Sequence, residues 1–219
     1  MKVYFISGLG ADKRIFSKIN LDGQFEIIHL DWINFSKNDT LRSYAEKLSK
    51  SIDQTSLYCV VGVSFGGMIA TEIAKILTPK LTIVISTIID SKQLPWLYKC
   101  AGKLGLLNII PAATLKASNK LTQNYYFGTK TTEDKNLLNK IVEDTEARFL
   151  KWAIGIILSW DNQTRPANLY HIHGSNDKIF PLKKVEPNFV IKNGTHFMVY
   201  QNAEDISTLI NKLLLSIIA

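Results

Sequence analysis

The chain has 219 residues and a formal net charge of +7, with 46% hydrophobic and 21% charged residues. That length suits one domain, or one domain carrying a large insertion, whose core needs no disulfide staple. The positive charge would suit nucleic acid, but only Arg14, Arg42, Arg148 and Arg165 are arginines and the lysines are scattered, so no phosphate-reading patch is expected.

In chain order, short β-branched and aromatic runs alternate with segments of helical period, the pattern of a parallel sheet covered on both faces. The runs are Lys2 to Ser7, Phe25 to Leu30, Leu57 to Val63, Leu81 to Thr87, Asn168 to His173 and Phe189 to Ile191. Several are almost continuously apolar, as strands buried on both sides should be. Asp39 or Thr40 can cap a helix reaching about Ile52. From Gly67, the rows Ile69, Ile73, Ile76 and Ala70, Ala74, Leu77 keep helical spacing until Thr78-Pro79 stops it. At the C-terminus, Ile206, Leu209 and Leu213 run beside Ile210, Leu214 and Ile217, with Glu204 and Asp205 favouring the helix start.

The alternation breaks once. Between Asp90 and Arg165 the pattern is helical only: Leu94 to Leu107, Ala112 to Leu121, Glu133 to Val142 and Glu146 to Leu158. One helix suffices for a crossover, so residues 91–165 are expected to form an inserted cap, with 1–90 and 166–219 as the α/β core. The apolar stretches at 81–89 and 149–160 fall short of the ~20 residues of a membrane span, so no stable membrane insertion is expected. The N-terminal MKVYFISGLGA runs directly into Asp12, Lys13 and Arg14 and is too brief for a secretory leader. Cys59 and Cys100 lie in separate regions and are read as reduced thiols. A cytoplasmic location follows.

The third run leads into Gly62-Val63-Ser64-Phe65-Gly66-Gly67 and then a helix. This is G-x-S-x-G in the strand-turn-helix setting that a nucleophile elbow requires. A serine on so tight a turn leaves no room for side chains two residues to either side, which Gly62 and Gly66 provide. The bland alternative is a glycine-rich turn that binds phosphate, but no P-loop lysine or second dinucleotide pattern accompanies it.

A serine hydroxyl is a weak nucleophile without a base. His196, in Asn193-Gly194-Thr195-His196-Phe197, follows the last strand, at the carboxyl edge where such sites assemble. Asp177, in His173-Gly174-Ser175-Asn176-Asp177, follows the fifth strand and can hold the imidazole in the needed tautomer. Its bland alternative is a turn aspartate bonding its own backbone, and Asp90, just past the fourth strand, is the rival acid. His29 lies inside a strand run and reads as structural. His171 and His173 share a strand face, where a histidine pair can chelate a metal; no third ligand stands at useful spacing, so neither metal nor cofactor is expected. Two amides are needed to receive an oxyanion. Phe65 N–H is one, and Leu9 N–H the other, in Ser7-Gly8-Leu9-Gly10-Ala11, where Gly8 and Gly10 let backbone approach the substrate.

Together GLG near the start, GVSFGG in mid-chain, HGSNDKIFP and GTHF resemble the α/β-hydrolase superfamily, in the order serine, acid, histidine. The resemblance implies Ser64, Asp177 and His196 as a triad, Leu9 and Phe65 as oxyanion donors, and a strand order of 4-3-5-6-7-8 in the family's numbering of strands. Three departures stand out. The chain opens at the family's third strand, and Ser7 stands where many members have histidine. Only 19 positions separate Asp177 from His196, so the intervening helix is expected to shrink to about a turn near Pro181 to Val185.

The expected fold is therefore a six-stranded, mainly parallel sheet with helices on both faces and a helical cap. The cap is rich in aromatics (Trp96, Tyr98, Tyr125, Tyr126, Phe127, Trp152, Trp160), which points to a small apolar acyl substrate. The expected activity is hydrolysis of a carboxyl ester or related acyl bond. Acyl transfer by the same triad, and ligand binding without turnover, are the alternatives.

Overall fold

In the computed structural model, which describes residues 1–218, six strands build one sheet. They are β1 (Lys2–Ile6), β2 (Glu26–Leu30), β3 (Tyr58–Val63), β4 (Leu81–Ile85), β5 (Leu169–Gly174) and β6 (Phe189–Ile191). The order is β2-β1-β3-β4-β5-β6, and each neighbouring pair is parallel. This is the expected order. Parallel neighbours force each connection over a face of the sheet, and all six positions of β3 are consequently buried.

Helix α1 (Leu41–Ser49) starts at Thr40, whose side chain accepts the Ser43 amide in a capping box, while the Asp39 carboxylate turns to Lys47. Helix α2 (Phe65–Ile76) begins one residue after Ser64. Between β4 and β5 come α3 (Trp96–Lys103), α4 (Leu106–Ile109), α5 (Ala112–Phe127), α6 (Thr132–Asp144) and α7 (Ala147–Ser159). The helix expected over Leu94 to Leu107 is thus two pieces, because Gly105 takes a left-handed φ of 64° between them. The helix expected over Ala112 to Leu121 is longer than its apolar pattern and runs on to Gly128, whose φ of 70° ends it. After β6 the chain closes with α8 (Met198–Gln201) and α9 (Ala203–Leu215). The reduced helix between Asp177 and His196 is a single 3-10 turn, Leu182–Lys184.

Strand alternation divides the core in two. Val3 and Phe5 of β1 point to one face, packing with Met198, Ile206, Ile210 and Leu214 of the last helices and with Leu138 and Ile141 of α6. Tyr4 and Ile6 point to the other, with Tyr44 and Leu48 of α1, Ile69 and Ile73 of α2, and Phe149 and Ala153 of α7. Helices from the 91–165 segment therefore contribute to both layers. Among the described residues no helix is long and apolar enough to cross a membrane.

Candidate active site

Ser64 sits between the end of β3 and the start of α2 with φ 53° and ψ −118°, a backbone conformation that L-residues avoid. The fold holds it there. Ser64 N–H donates to the Ile85 carbonyl at 2.9 Å, and the Ser64 carbonyl accepts from Gly67 N–H and from Thr87 Oγ1 at 2.6 Å. A Cβ on Gly62 would stand 2.2 Å from the Gly66 carbonyl oxygen, and one on Gly66 would stand 2.2 Å from that of Ser7. Both obstacles are backbone, so glycine is required at each position.

The loop after β1 presses against this turn. A Cβ on Gly8 would lie 3.4 Å from that of Ser64. Gly10 has a φ of 66°, and its carbonyl accepts from Thr145 Oγ1 at 2.7 Å. Among the described residues the amides of Leu9 and Phe65 have no hydrogen-bond partner, and Phe65 N–H belongs to the positive end of α2.

His196 and Asp177 come from loops that are bonded to each other. Asn176 N–H donates to the Gly194 carbonyl at 2.8 Å, and Ser175 N–H to that of Ile191 at 3.0 Å. Where the loops cross, a Cβ on Gly174 would lie 2.3 Å from the Gly194 oxygen. This crossing brings three side chains into line. His196 Nδ1 is 2.8 Å from Asp177 Oδ2, and His196 Nε2 is 2.9 Å from Ser64 Oγ. A carboxylate can only accept, so Nδ1 carries the proton and Nε2 is left to accept from the serine hydroxyl.

Asp177 and His196 are almost fully buried. Burial pushes the Asp177 carboxyl upwards, but the neighbouring His196 and His173 rings and the hydrogen bonds from His196 and the Phe180 amide outweigh it, leaving the group below the usual carboxylate range. Asp177 Oδ1 accepts from the Ile179 and Phe180 amides, both at 2.9 Å, so the turn-aspartate arrangement is present as well. Asp90 lies elsewhere in role: its carboxylate accepts from Lys92 N–H and caps a short turn at 91–93. His29 stacks on Phe16. His171 and His173 contact each other at 3.1 Å.

Helices of the 91–165 segment border these groups. The Phe127 ring stands edge-on to His196 at 5.2 Å. Trp152 and Phe149 pack with Trp32, Phe35 and Phe65, an aromatic wall beside the elbow. The other cap aromatics divide: Trp160 donates to buried Glu72, and Trp96 is exposed. A cleft of about 580 Å³ is lined by Asp177 together with Asn124, Tyr125, Asn176, Lys178 and Thr195. Sequence reasoning missed Thr87 and Thr145, because each acts through a segment distant in the chain.

The sheet order, the elbow and the loop positions together define the α/β-hydrolase fold. Solved structures share it across nearly the whole chain. A thermophilic esterase from Thermogutta terrifontis superposes with a TM-score of 0.73 at 14% identity, covering 99% of this chain and 90% of that one. MenH from S. aureus gives 0.70 at 15% identity, covering 100% and 95%. A lipase-esterase related protein from Clostridium acetobutylicum gives 0.68 at 18% identity, covering 97% and 93%. At such identities the likeness is one of fold. No family model and no curated protein matches the sequence.

Proposed function

We propose that the chain is a serine hydrolase that cleaves a carboxyl ester or related acyl bond through an acyl-enzyme on Ser64. The observation that carries this reading is the unbroken hydrogen-bonded line from Asp177 through His196 to Ser64, at 2.8 and 2.9 Å. In it His196 Nε2 takes the Ser64 proton as Oγ attacks the acyl carbon, and Asp177 stabilises the imidazolium that forms. The oxyanion is received by the free amides of Leu9 and Phe65, each worth ~2.7–4 kcal/mol to the barrier. Collapse expels the alcohol, which leaves with the proton held by His196. Water, deprotonated by the same nitrogen, then attacks the acyl carbon and restores Ser64.

In this reading residues 91–165 act as a cap, and the aromatic wall of Trp32, Phe35, Phe149 and Trp152 supports an apolar acyl group on the substrate. Cys59 and Cys100 are both unpaired, which favours a reducing compartment, hence the cytoplasm.

A fluorophosphonate probe tests the proposal. Wild type is expected to label and Ser64→Ala is not. Absence of Ser64-dependent labelling in folded protein would leave a ligand-binding protein on the same fold. A panel of p-nitrophenyl esters of graded acyl length would then measure the pocket, and capture of the acyl group by an added alcohol in preference to water would mark a transferase.

A further inference from the structure

Two buried histidines take no part in the chemistry above. His171 and His173 lie on β5 directly behind Asp177, and neither is exposed. Their spacing puts both rings on one face of the strand. His173 Nε2 is 2.8 Å from the Phe180 carbonyl oxygen. A carbonyl only accepts, so this nitrogen carries the proton and His173 Nδ1 is bare. The bare nitrogen must then accept from His171 Nε2, 3.1 Å away. His171 Nδ1, left without a proton, has no hydrogen-bond partner. One proton order satisfies both contacts of His173. Burial pushes both rings below the ordinary imidazole range, with their mutual repulsion adding to it at His171, so the pair stays neutral.

The chain of bonds ends on the turn that aims the acid. Phe180 donates its amide to Asp177 Oδ1 and offers its carbonyl to His173. It is thus held from both sides, and its ring stands 5.7 Å from that of His196. His173 Nε2 also faces Asp177 Oδ2 at 3.7 Å, too long for a hydrogen bond but with its positive end towards the oxygen that holds His196.

We propose that His173, oriented by His171, is a positioning residue that fixes Asp177 against His196. The inference rests on the serine-hydrolase reading, and its test separates the two. If folded wild type shows no Ser64-dependent fluorophosphonate labelling, both fall. Where labelling holds, the variants decide. The amide nitrogen of His173→Gln can stand near the Nε2 position and bond Phe180; that of His173→Asn reaches only the Nδ1 position. His173→Gln is expected to retain most of the labelling rate. His173→Asn and His173→Leu are expected to lose on the order of 100-fold, the cost of about 1 Å of misplacement, in kcat with KM little changed. The downfield proton resonance of His196 Nδ1–H should persist in wild type and His173→Gln and broaden or vanish in the other two. Equal rates in the Gln and Asn variants, or an unaltered resonance in His173→Asn, would overturn the proposal. If the leucine variant does not fold, the Gln and Asn pair still gives the answer.

Discussion

Replacing Asp177 by asparagine separates the shape of the site from its proton order. The two carboxylate oxygens have different tasks: Oδ1 holds the turn through the Ile179 and Phe180 amides, and Oδ2 accepts from His196 Nδ1. In Asp177→Asn the amide oxygen can keep the first task, which leaves the NH2 group facing His196. A donor there demands a bare Nδ1, so the imidazole proton moves to Nε2, the nitrogen that must accept from Ser64. The base is lost while the packing remains. The same exchange in a serine-protease triad lowers kcat about 10⁴-fold, which at 1.36 kcal/mol per decade is about 5.4 kcal/mol. The second-order rate of fluorophosphonate labelling and the turnover of a p-nitrophenyl ester are expected to fall by that order, with the thermal midpoint nearly unchanged. Asp90→Asn is the control, since the Asp90 carboxylate only caps the turn at 91–93. Labelling within about tenfold of wild type in folded Asp177→Asn, or a loss of that size in Asp90→Asn, would refute the reasoning.

Three further outcomes follow from the structure. Gly66→Ala would put a Cβ 2.2 and 2.4 Å from the carbonyl oxygens of Ser7 and Ile6; a loss of at least the ~1–3 kcal/mol typical of overpacking is expected, and an unchanged denaturation midpoint would contradict it. Burial pushes the Cys59 thiol up to about 12, whereas Cys100 is exposed; Ellman's reagent should therefore find one fast thiol in the native protein and two after denaturation. The neutral, buried His171 and His173 have folded values below the ordinary 6.5, so on acidification the unfolded chain binds protons first. Their stabilising effect is complete above pH 6.5 and declines as pH falls below it, approaching about 1.4 kcal/mol per pH unit for each histidine. Urea unfolding at pH 7.5, 6.5 and 5.5 measures this, and a flat response would be inconsistent with neutral buried rings.

What the sequence disclosed depended on how local the physical cause was. The central strands were legible because burial on both faces leaves almost no polar residues in them, as in Tyr58–Val63 and Leu81–Ile85. The elbow was legible because its serine and both glycines fall within five residues, and a Cβ on Gly62 would stand 2.2 Å from the carbonyl oxygen of Gly66 in the same turn. The helix breaks were harder. Leu94 to Leu107 keeps an apolar repeat across Gly105, and repeat alone does not reveal that this glycine adopts a left-handed φ of 64°.

The features that stayed hidden couple segments far apart in the chain. Thr87 grips the Ser64 carbonyl across 23 positions, and Thr145 grips that of Gly10 across 135. Neither residue differs in type from an ordinary strand or helix-end threonine, so only the fold distinguishes them. The cap aromatics show the same limit in reverse. Seven such residues share one composition, yet Trp152 joins the wall beside Phe65, Phe127 stands edge-on to His196, and Trp160 is held by Glu72 of α2. Composition therefore bounds the polarity of what this segment can cover. The direction each ring faces is set by the helix register against the sheet, and it is that register that puts Trp152 against Phe65 and Phe149 against Trp32.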